Sequence, residues 1–269
     1  IMRVLRTINN NVVICLDNNE NEVVAFGKGI GFKKKNNDII ELSKIDRTYY
    51  KVKTEYVDMI AHISQDILDV SIKIIDYCRS HLKKTINPNV IFTLADHINF
   101  AIQRQSQGIQ LKNALLWETK KFYHQEYLMV KYAVDLLNEK LGTEFTEDEA
   151  GFIALHFVNA EYNTTINDTF EMTNMIQKIL ELVRLEMGIE FDEESLHYER
   201  FITHLKFLVQ RLYRHELLKD EEIEFARMME NKYPKEYECS KHIAEYIEKE
   251  YGSGIASEEI MFLAIHIKR

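Results

Sequence analysis

The chain has 269 residues, of which 46% are hydrophobic and 29% charged, and its formal net charge is -9. This length allows two or three globular domains, and the negative charge argues against a protein that coats nucleic acid. No apolar run reaches the roughly 18 residues that cross a bilayer. The three cysteines form no pair at metal-ligand or disulfide spacing. Together these features predict a cytoplasmic protein.

The first 56 residues predict a small β-structure. Short apolar, β-branched runs alternate with polar turns, and the predicted strands cover residues 4–8, 12–16, 22–26, 39–42 and 49–52. This segment holds ten Lys and Arg against seven Asp and Glu, so it is a basic head on an acidic chain. A sheet of this size has little core of its own, so we expect dimerisation to bury its exposed face.

From about residue 57 the apolar residues recur with the helical period of 3.6. The predicted helices cover residues 56–80, 88–104, 113–141 and 147–162. Thr146 followed by Glu149 resembles a capping box at the start of the last of them. Residues 161–168 are polar and non-periodic, which predicts a linker, and the helical period resumes at about residue 170 and continues to the end.

The helical part of the chain contains an internal repeat. An offset of 110 residues aligns Tyr123, Glu126, Tyr127, Lys131, Gly142, Glu149, Phe152, Ala154 and His156 with Tyr233, Glu236, Tyr237, Lys241, Gly252, Glu259, Phe262, Ala264 and His266. An offset of 107 residues aligns His97, Phe100, Gln103 and Arg104 with His204, Phe207, Gln210 and Arg211. Chance rarely matches so many polar residues in register. The two halves are therefore copies of one helical module.

Each copy carries one histidine on an early helix and one on its last helix. These residues are His97 and His156 in the first copy, and His204 and His266 in the second. A single histidine between apolar neighbours is most often a buried residue with satisfied hydrogen bonds. Recurrence in both copies favours a functional role, because packing alone would let the residue drift to other types.

Three functional interpretations of the histidines remain. Metal binding and general acid–base catalysis have little support, since the chain shows no HExxH motif, Cys pair, nucleophile motif or phosphate-cradling glycine loop. Reversible phosphorylation would add nearly two negative charges and three acceptor oxygens to an imidazole. That change can repel or recruit Arg104 or Arg211 and shift an assembly equilibrium. We expect no enzyme activity, no metal and no cofactor.

Six short strings carry a family resemblance. They are INNNV at 8–12, GKGIGF at 27–32, DHINFA at 96–101, GFIALH at 151–156, THLKF at 203–207 and FLAIH at 262–266. The first two resemble the co-antiterminator RNA-binding domain, and the other four resemble phosphotransferase regulation domains. In this order, and over nearly its whole length, the chain is similar to the BglG/SacY transcriptional antiterminators.

The resemblance implies an α+β multidomain fold. A small all-β antiparallel RNA-binding domain would cover residues 1–56. Two homologous all-α helical-bundle domains, the phosphotransferase regulation domains, would follow at 57–165 and 166–269.

The resemblance also implies a function. Members bind a hairpin in nascent mRNA, the ribonucleic antiterminator, as homodimers, and so prevent a terminator from forming in a sugar-utilisation operon. The sugar-specific permease (enzyme II) phosphorylates the first module and inactivates the protein, whereas the phosphocarrier HPr phosphorylates the second and activates it. Carried onto this chain, the regulatory residues are His97, His156, His204 and His266. The RNA-binding residues are Arg6, Asn11, Gly27, Lys28 and Phe32.

The RNA assignment agrees with the chemistry of these residue types. An Asn amide can bond a base edge, an aromatic ring can stack on an unpaired base, and glycines let the backbone approach closely. Many members have Arg at the position of Lys28. A lysine ammonium carries the same charge but lacks the planar guanidinium group of arginine. Two alternatives stay open: Phe32 as sheet core, and the lysines at 33–35 as a solvated turn. A DNA-binding activator with similar modules is disfavoured, because residues 1–56 show no helix-turn-helix pattern.

Overall fold

The computed structural model describes residues 1–216 and 223–268. The chain forms two compact units, Ile1–Thr164 and Thr165–Arg269. The first unit holds the head and the first helical module, and the second unit holds the second module. Among the described residues, no helix is long and apolar enough to cross a membrane.

The head is a five-stranded antiparallel sheet. Its strands are β1 (Met2–Thr7), β2 (Val12–Leu16), β3 (Glu22–Phe26), β4 (Ile39–Ile40) and β5 (Arg47–Tyr50). They lie in the order β4-β1-β2-β3-β5, so the β1–β2–β3 meander forms the centre. The predicted fourth strand stops early because a 3-10 turn begins at Leu42, and the fifth ends at Tyr50 because Lys51 has a positive φ of 54°.

Both faces of the sheet are covered by the chain itself. On one face Val4, Val13 and Val23 pack with Ile30 of the loop after β3 and with Ile40 of β4. On the other face the strand residues share one core with the helices of the first module; they are Val12, Ile14, Val24, Phe26 and Tyr49. The expectation that a sheet face stays exposed until dimerisation is therefore wrong for this chain, because the first module already covers that face.

An aromatic cluster anchors the head to the first module. The ring of Phe92, which is fully buried, lies 6.0 Å from that of Phe26 and 5.4 Å from that of Tyr49, both in edge-on geometry. The ring of Tyr56 is stacked with that of Phe92, with centroids 6.3 Å apart. Such edge-on and offset pairs add to the free energy gained from apolar burial.

The first module has six helices. They are α1 (Thr54–Ile60), α2 (Gln65–His81), α3 (Val90–Ser106), α4 (Leu116–Phe122), α5 (His124–Leu141) and α6 (Glu147–Tyr162). The predicted helix 56–80 is two helices, since the chain turns at 61–64 and restarts after extended Ser64. The predicted helix 113–141 breaks at Tyr123, whose φ of -122° is not helical and whose ring is buried with that of Phe122.

The helix caps also differ from the prediction. Thr146 precedes α6 but makes no side-chain capping bond, and the Glu149 carboxylate bonds His97 and Arg104 instead. The capping box lies at Thr165 and Asp168, within the predicted linker, where both reciprocal bonds are present. The predicted linker 161–168 is thus reduced to 163–165.

The second unit repeats this plan. Its helices are α7 (Ile166–Met187), α8 (Leu196–Arg214), α9 (Ile223–Lys232), α10 (Pro234–Tyr251) and α11 (Ser257–Lys268). Gly142 ends α5 and Gly252 ends α10, both in the left-handed region, with φ of 63° and 68°. Glycine adopts this conformation without a Cβ penalty, which accounts for its presence at both repeat positions.

Candidate functional site: two histidine pairs and a loop rim on the head

The two histidines of the first module lie side by side. His97 is on α3 and His156 on α6, and their ring centroids are 4.9 Å apart. His97 and Arg104 are seven residues apart, as are Glu149 and His156, so each pair shares a helix face. The packing of α3 against α6 therefore brings all four side chains together.

Glu149 joins the histidine and the arginine of this cluster. Its Oε2 lies 3.0 Å from His97 Nε2, and its Oε1 accepts a hydrogen bond from Arg104 Nη2 at 2.9 Å. Burial pushes the pKa of Glu149 up, but the contacts with His97 and Arg104 outweigh it and hold that pKa below its ordinary value. The carboxylate is thus ionised at neutral pH and oriented by two partners.

Burial separates the properties of the two imidazoles. His156 is 7% exposed, and burial, together with the charge of nearby His97, lowers its pKa well below the usual value. Its Nδ1 is buried without a hydrogen-bond partner. His156 is therefore a neutral imidazole at physiological pH, whereas His97 has a carboxylate partner.

The second module builds the same cluster. His204 on α8 and His266 on α11 have ring centroids 5.0 Å apart, and the two rings are stacked. Glu259, which is fully buried, accepts hydrogen bonds from Nε and Nη2 of Arg211 on one oxygen, Oε1. The repeat detected in the sequence is thus a repeat of the cluster geometry.

The two clusters differ in the contact between histidine and glutamate. The Nε2 of His204 lies 3.6 Å from Glu259 Oε2, which is too long for a hydrogen bond, and both atoms are buried without a partner. Burial, with the charges of His266 and Arg211, lowers the pKa of His204 to about 4. Burial raises the pKa of Glu259, although Arg211 opposes this change. His204 is therefore neutral at physiological pH.

Sequence reasoning missed the carboxylates. The carboxylate that is hydrogen-bonded to the His97 ring is that of Glu149, 52 positions away in the chain. Glu149 and Glu259 were visible as a matched pair in the repeat, and this was the available signal. The two arginines do lie in the clusters, where they bind glutamates.

Exposed phenylalanines accompany both clusters. Phe100 is 56% exposed and Phe207 is 54% exposed, at equivalent positions of α3 and α8. The guanidinium of Arg104 lies 5.1 Å from the centroid of the Phe100 ring. Exposure of the same residue type at the same position of both modules extends the repeat to the surface beside the clusters.

In the head, two adjacent loops form one rim, which comprises the turn 9–11 and the loop 27–32. Three hydrogen bonds join them: Gly27 N to Asn11 O, Gly31 N to Asn10 O, and Gly29 N to Asn11 Oδ1 at 2.7 Å. Because Oδ1 is used in this way, the NH2 group of Asn11 is the part that can address a base edge.

Glycine is required at two positions of the loop 27–32, where other backbone passes close by. A Cβ on Gly27 would lie 2.1 Å from the Lys44 carbonyl oxygen, and one on Gly31 would lie 2.1 Å from that of Asn9. Both contacts are far below van der Waals distance. The predicted site residue Gly27 thus shapes the loop from a buried position.

The other predicted head residues lie at the surface. Phe32 is 58% exposed, so the alternative that it belongs to the sheet core is wrong. Lys33 lies 5.3 Å above its ring, and Lys28 is exposed. Arg6 is exposed and its Nη2 donates to Asp58 Oδ1 on α1 at 3.2 Å.

Metal ligation was one interpretation of the histidines. Within residues 1–216 and 223–268, no group of three or more His, Cys, Asp and Glu side chains is arranged to hold a metal ion.

Family profiles match most of the chain. A profile described as the CAT RNA binding domain matches residues 2–57, and one described as the PRD domain matches residues 72–160 and again 177–269. The head and both helical modules are each recognised separately.

Relatives match the chain over nearly their whole length. The chain is 40% identical to transcription antiterminator LicT of Bacillus subtilis (strain 168), covering 100% of this chain and 98% of that protein. It is 34% identical to the beta-glucoside operon antiterminator of Dickeya chrysanthemi, covering 100% and 96%. A crystal structure of GlcT CAT-PRDI covers 60% of this chain and 98% of its own, with 37% identity and a TM-score of 0.52.

Proposed function

The chain belongs to the transcription antiterminators that join a CAT RNA-binding domain to two PRD domains, and we propose that it binds a hairpin in nascent mRNA as a homodimer. Binding would keep an overlapping terminator from forming, so that transcription of a sugar-utilisation operon continues. RNA binding by the head and control by the sugar phosphotransferase system are properties of these domains.

The loop rim supports the proposed RNA contacts. Asn11, Lys28 and Phe32 lie on two loops that are joined by hydrogen bonds, and the Phe32 ring is open to solvent. An exposed ring beside an amide and an ammonium group suits a hairpin loop with unpaired bases, which are read by stacking and edge contacts. Arg6 and Gly27 complete the proposed set, with Gly27 acting through the loop backbone.

The repeated histidine pair is the observation that carries the regulatory proposal. In each module two histidines lie within about 5 Å of one another beside an arginine and a buried glutamate. A phosphoryl dianion arriving there would compete with the glutamate for the arginine. Such competition changes the packing of the two helices that carry the cluster, and a local charge change can thereby reach the head.

We further propose that the modules receive different signals. His97 and His156, in residues 57–165, would be phosphorylated by the sugar-specific permease with loss of activity. His204 and His266, in residues 166–269, would be phosphorylated by HPr with gain of activity and dimerisation. The different histidine–glutamate distances, 3.0 Å and 3.6 Å, support distinct responses.

The alternative of a DNA-binding activator finds no support. The head matches an RNA-binding profile and is a β-sheet over residues 2–50. Helix-based readers of the DNA major groove depend on a recognition helix.

Two measurements test the proposal with the full-length chain. The first compares binding to a family-type hairpin RNA with binding to duplex DNA at low salt. A folded chain that binds no hairpin would overturn the RNA assignment. The second transfers labelled phosphate from HPr and from the permease and maps the labelled histidines. If Ala variants of all four histidines respond to sugar like the unaltered chain, the phosphorylation proposal is wrong.

A further inference from the structure

The ring of His97 has two chemically distinct nitrogens, and one of them, Nε2, is hydrogen-bonded to the carboxylate of Glu149. Nε2 lies 3.0 Å from Glu149 Oε2, a distance typical of a charge-assisted hydrogen bond. No hydrogen bond to the other nitrogen, Nδ1, is found within residues 1–216 and 223–268, and the His97 side chain is 16% exposed. The two nitrogens therefore differ in their hydrogen bonding.

Glu149 is fixed as an acceptor. Its second oxygen, Oε1, accepts from Arg104 Nη2 at 2.9 Å, and Arg104 is itself 7% exposed. A carboxylate held by a buried guanidinium stays ionised and can only accept hydrogen bonds. His97 Nε2 must then carry the proton of this contact, which leaves the lone pair of a neutral ring on Nδ1.

We propose that Glu149 is a positioning residue that holds His97 in its Nε2–H form, so that Nδ1 is the atom that accepts the phosphoryl group. This inference rests on the proposed function, in which His97 is a phosphorylation site. It adds the identity of the reacting nitrogen, Nδ1, and of the side chain that selects it, Glu149.

The transfer balances without a further reactant. The Nδ1 lone pair of His97 forms a bond to the phosphorus of a donor phosphohistidine or phosphocysteine, while the phosphorus–donor bond breaks and its electron pair returns to the donor atom. No proton needs to leave His97, because Nε2–H stays bonded to Glu149. The carboxylate compensates the positive charge that the ring acquires as Nδ1 becomes substituted.

The first test uses the unphosphorylated, full-length chain. Nitrogen-15 NMR at pH 8, where an ordinary imidazole is neutral, reports which ring nitrogen carries hydrogen. We expect the Nε2–H form for His97. The Nδ1–H form as the main species would overturn the proposal without any phosphorylation experiment.

The second test identifies the product. A chain with His156→Gln, His204→Gln and His266→Gln is labelled by the reconstituted phosphotransferase system, digested in alkali, and the two phosphohistidine isomers are separated by chromatography. We expect the Nδ1 isomer at His97 in an excess of about tenfold or more, as one hydrogen bond to a charged group provides. An excess of the Nε2 isomer overturns the inference and leaves the proposed function intact. Absence of label on folded protein overturns both the inference and the assignment of His97 as a phosphorylation site.

A matched pair of variants isolates the glutamate. Glu149→Gln can donate its amide hydrogen to Nε2 and so favour the opposite ring form; we expect the isomer excess to fall at least severalfold. Glu147→Gln changes charge in the same first turn of α6, but Glu147 is exposed and binds Lys120 instead, so we expect no change. An equal fall in both variants would contradict the role of Glu149. If Glu149→Gln does not fold, the isomer formed by the chain that retains Glu149 still decides the question.

Discussion

Arg47 of the last head strand donates a hydrogen bond to Asp76 of α2, across the surface where the head meets the first module. Both side chains are partly exposed, at 37% and 46%. Beneath them lies the aromatic cluster around Phe92. The polar pair at the edge and the apolar cluster inside contribute unequally to the attachment of the head.

We predict that Phe92→Ala destabilises the first unit far more than Arg47→Ala does. Loss of a buried phenylalanine costs about 3–5 kcal/mol, whereas a partly exposed ion pair contributes about 1 kcal/mol or less. Denaturant unfolding followed by the fluorescence of Trp117, the single tryptophan of the chain, reports on this unit. Similar losses in the two variants would contradict the prediction that the aromatic cluster contributes more than the polar pair.

A pH dependence follows from His204. Its pKa in the folded chain, about 4, lies below the value of about 6.5 for an unfolded histidine, so the unfolded chain binds the proton more tightly. The stabilisation is fully present above about pH 6.5 and is lost as pH falls towards 4. We expect His204→Gln to flatten the fall in stability of the second unit between pH 7 and pH 5.

Glu259 titrates in the same acidic range. Its raised pKa acts in the opposite direction between about pH 4.5 and the higher pKa of the folded chain, since a carboxyl that is easier to protonate when folded gains stability as pH falls through that range. The measured quantity is therefore the difference in slope between His204→Gln and the unaltered chain, because Glu259 is present in both. An unchanged slope for His204→Gln would show that His204 is not the group that titrates.

The junction of the two head loops provides a steric test. We predict that Gly31→Ala weakens hairpin binding at least tenfold, because the added Cβ meets the Asn9 carbonyl at 2.1 Å and must displace the turn that carries Asn11. Gly254→Ala is the control, since nothing lies within 4 Å of its Cβ and its φ is not positive. Binding by filter retention or fluorescence anisotropy separates the two. Equal binding by both variants would contradict the role of this loop junction.

Phe32 and Lys28 are expected to act in different ways. Phe32→Ala should weaken RNA binding by about 1–3 kcal/mol, the value of stacking on one base, with little change in thermal stability because the ring is exposed. Lys28→Ala should lower the slope of log affinity against log salt by about one. If Phe32→Ala leaves affinity unchanged while the protein remains folded, the stacking role is wrong.

The sequence predicted the architecture because the architecture follows from local periodicities. Strands 12–16 and 22–26 and the helix beginning at 147 agree closely with the structure, as alternation and the 3.6 period are properties of the segments themselves. The breaks at 61–64 and at Tyr123 were missed because apolar periodicity continues across them. These breaks depend on which side chains pack into the core. Tyr123, for example, is buried, so the break there follows from packing and not from the helix propensity of tyrosine.

The histidine pairs were predictable and their carboxylates were not. The sequence repeat alone aligns His97 and His156 with His204 and His266, and this alignment needs no structural information. Glu149 also recurred, but a glutamate in the first turn of a helix is usually explained by capping and the helix dipole. Only the packing of α3 on α6 shows that this carboxylate faces an imidazole across the module.

The continuous core beneath the sheet has a consequence for protein engineering. A head cut from this chain at residue 56 would carry Val12, Ile14, Val24 and Phe26 on a bare face, because their neighbours are helical residues of the first module. A chimera that grafts this head onto another regulator must therefore supply a complementary apolar surface, either a compatible helical module or a second head. For this reason residues 1–164 are the unit to exchange between relatives, because a junction after residue 164 does not divide this core.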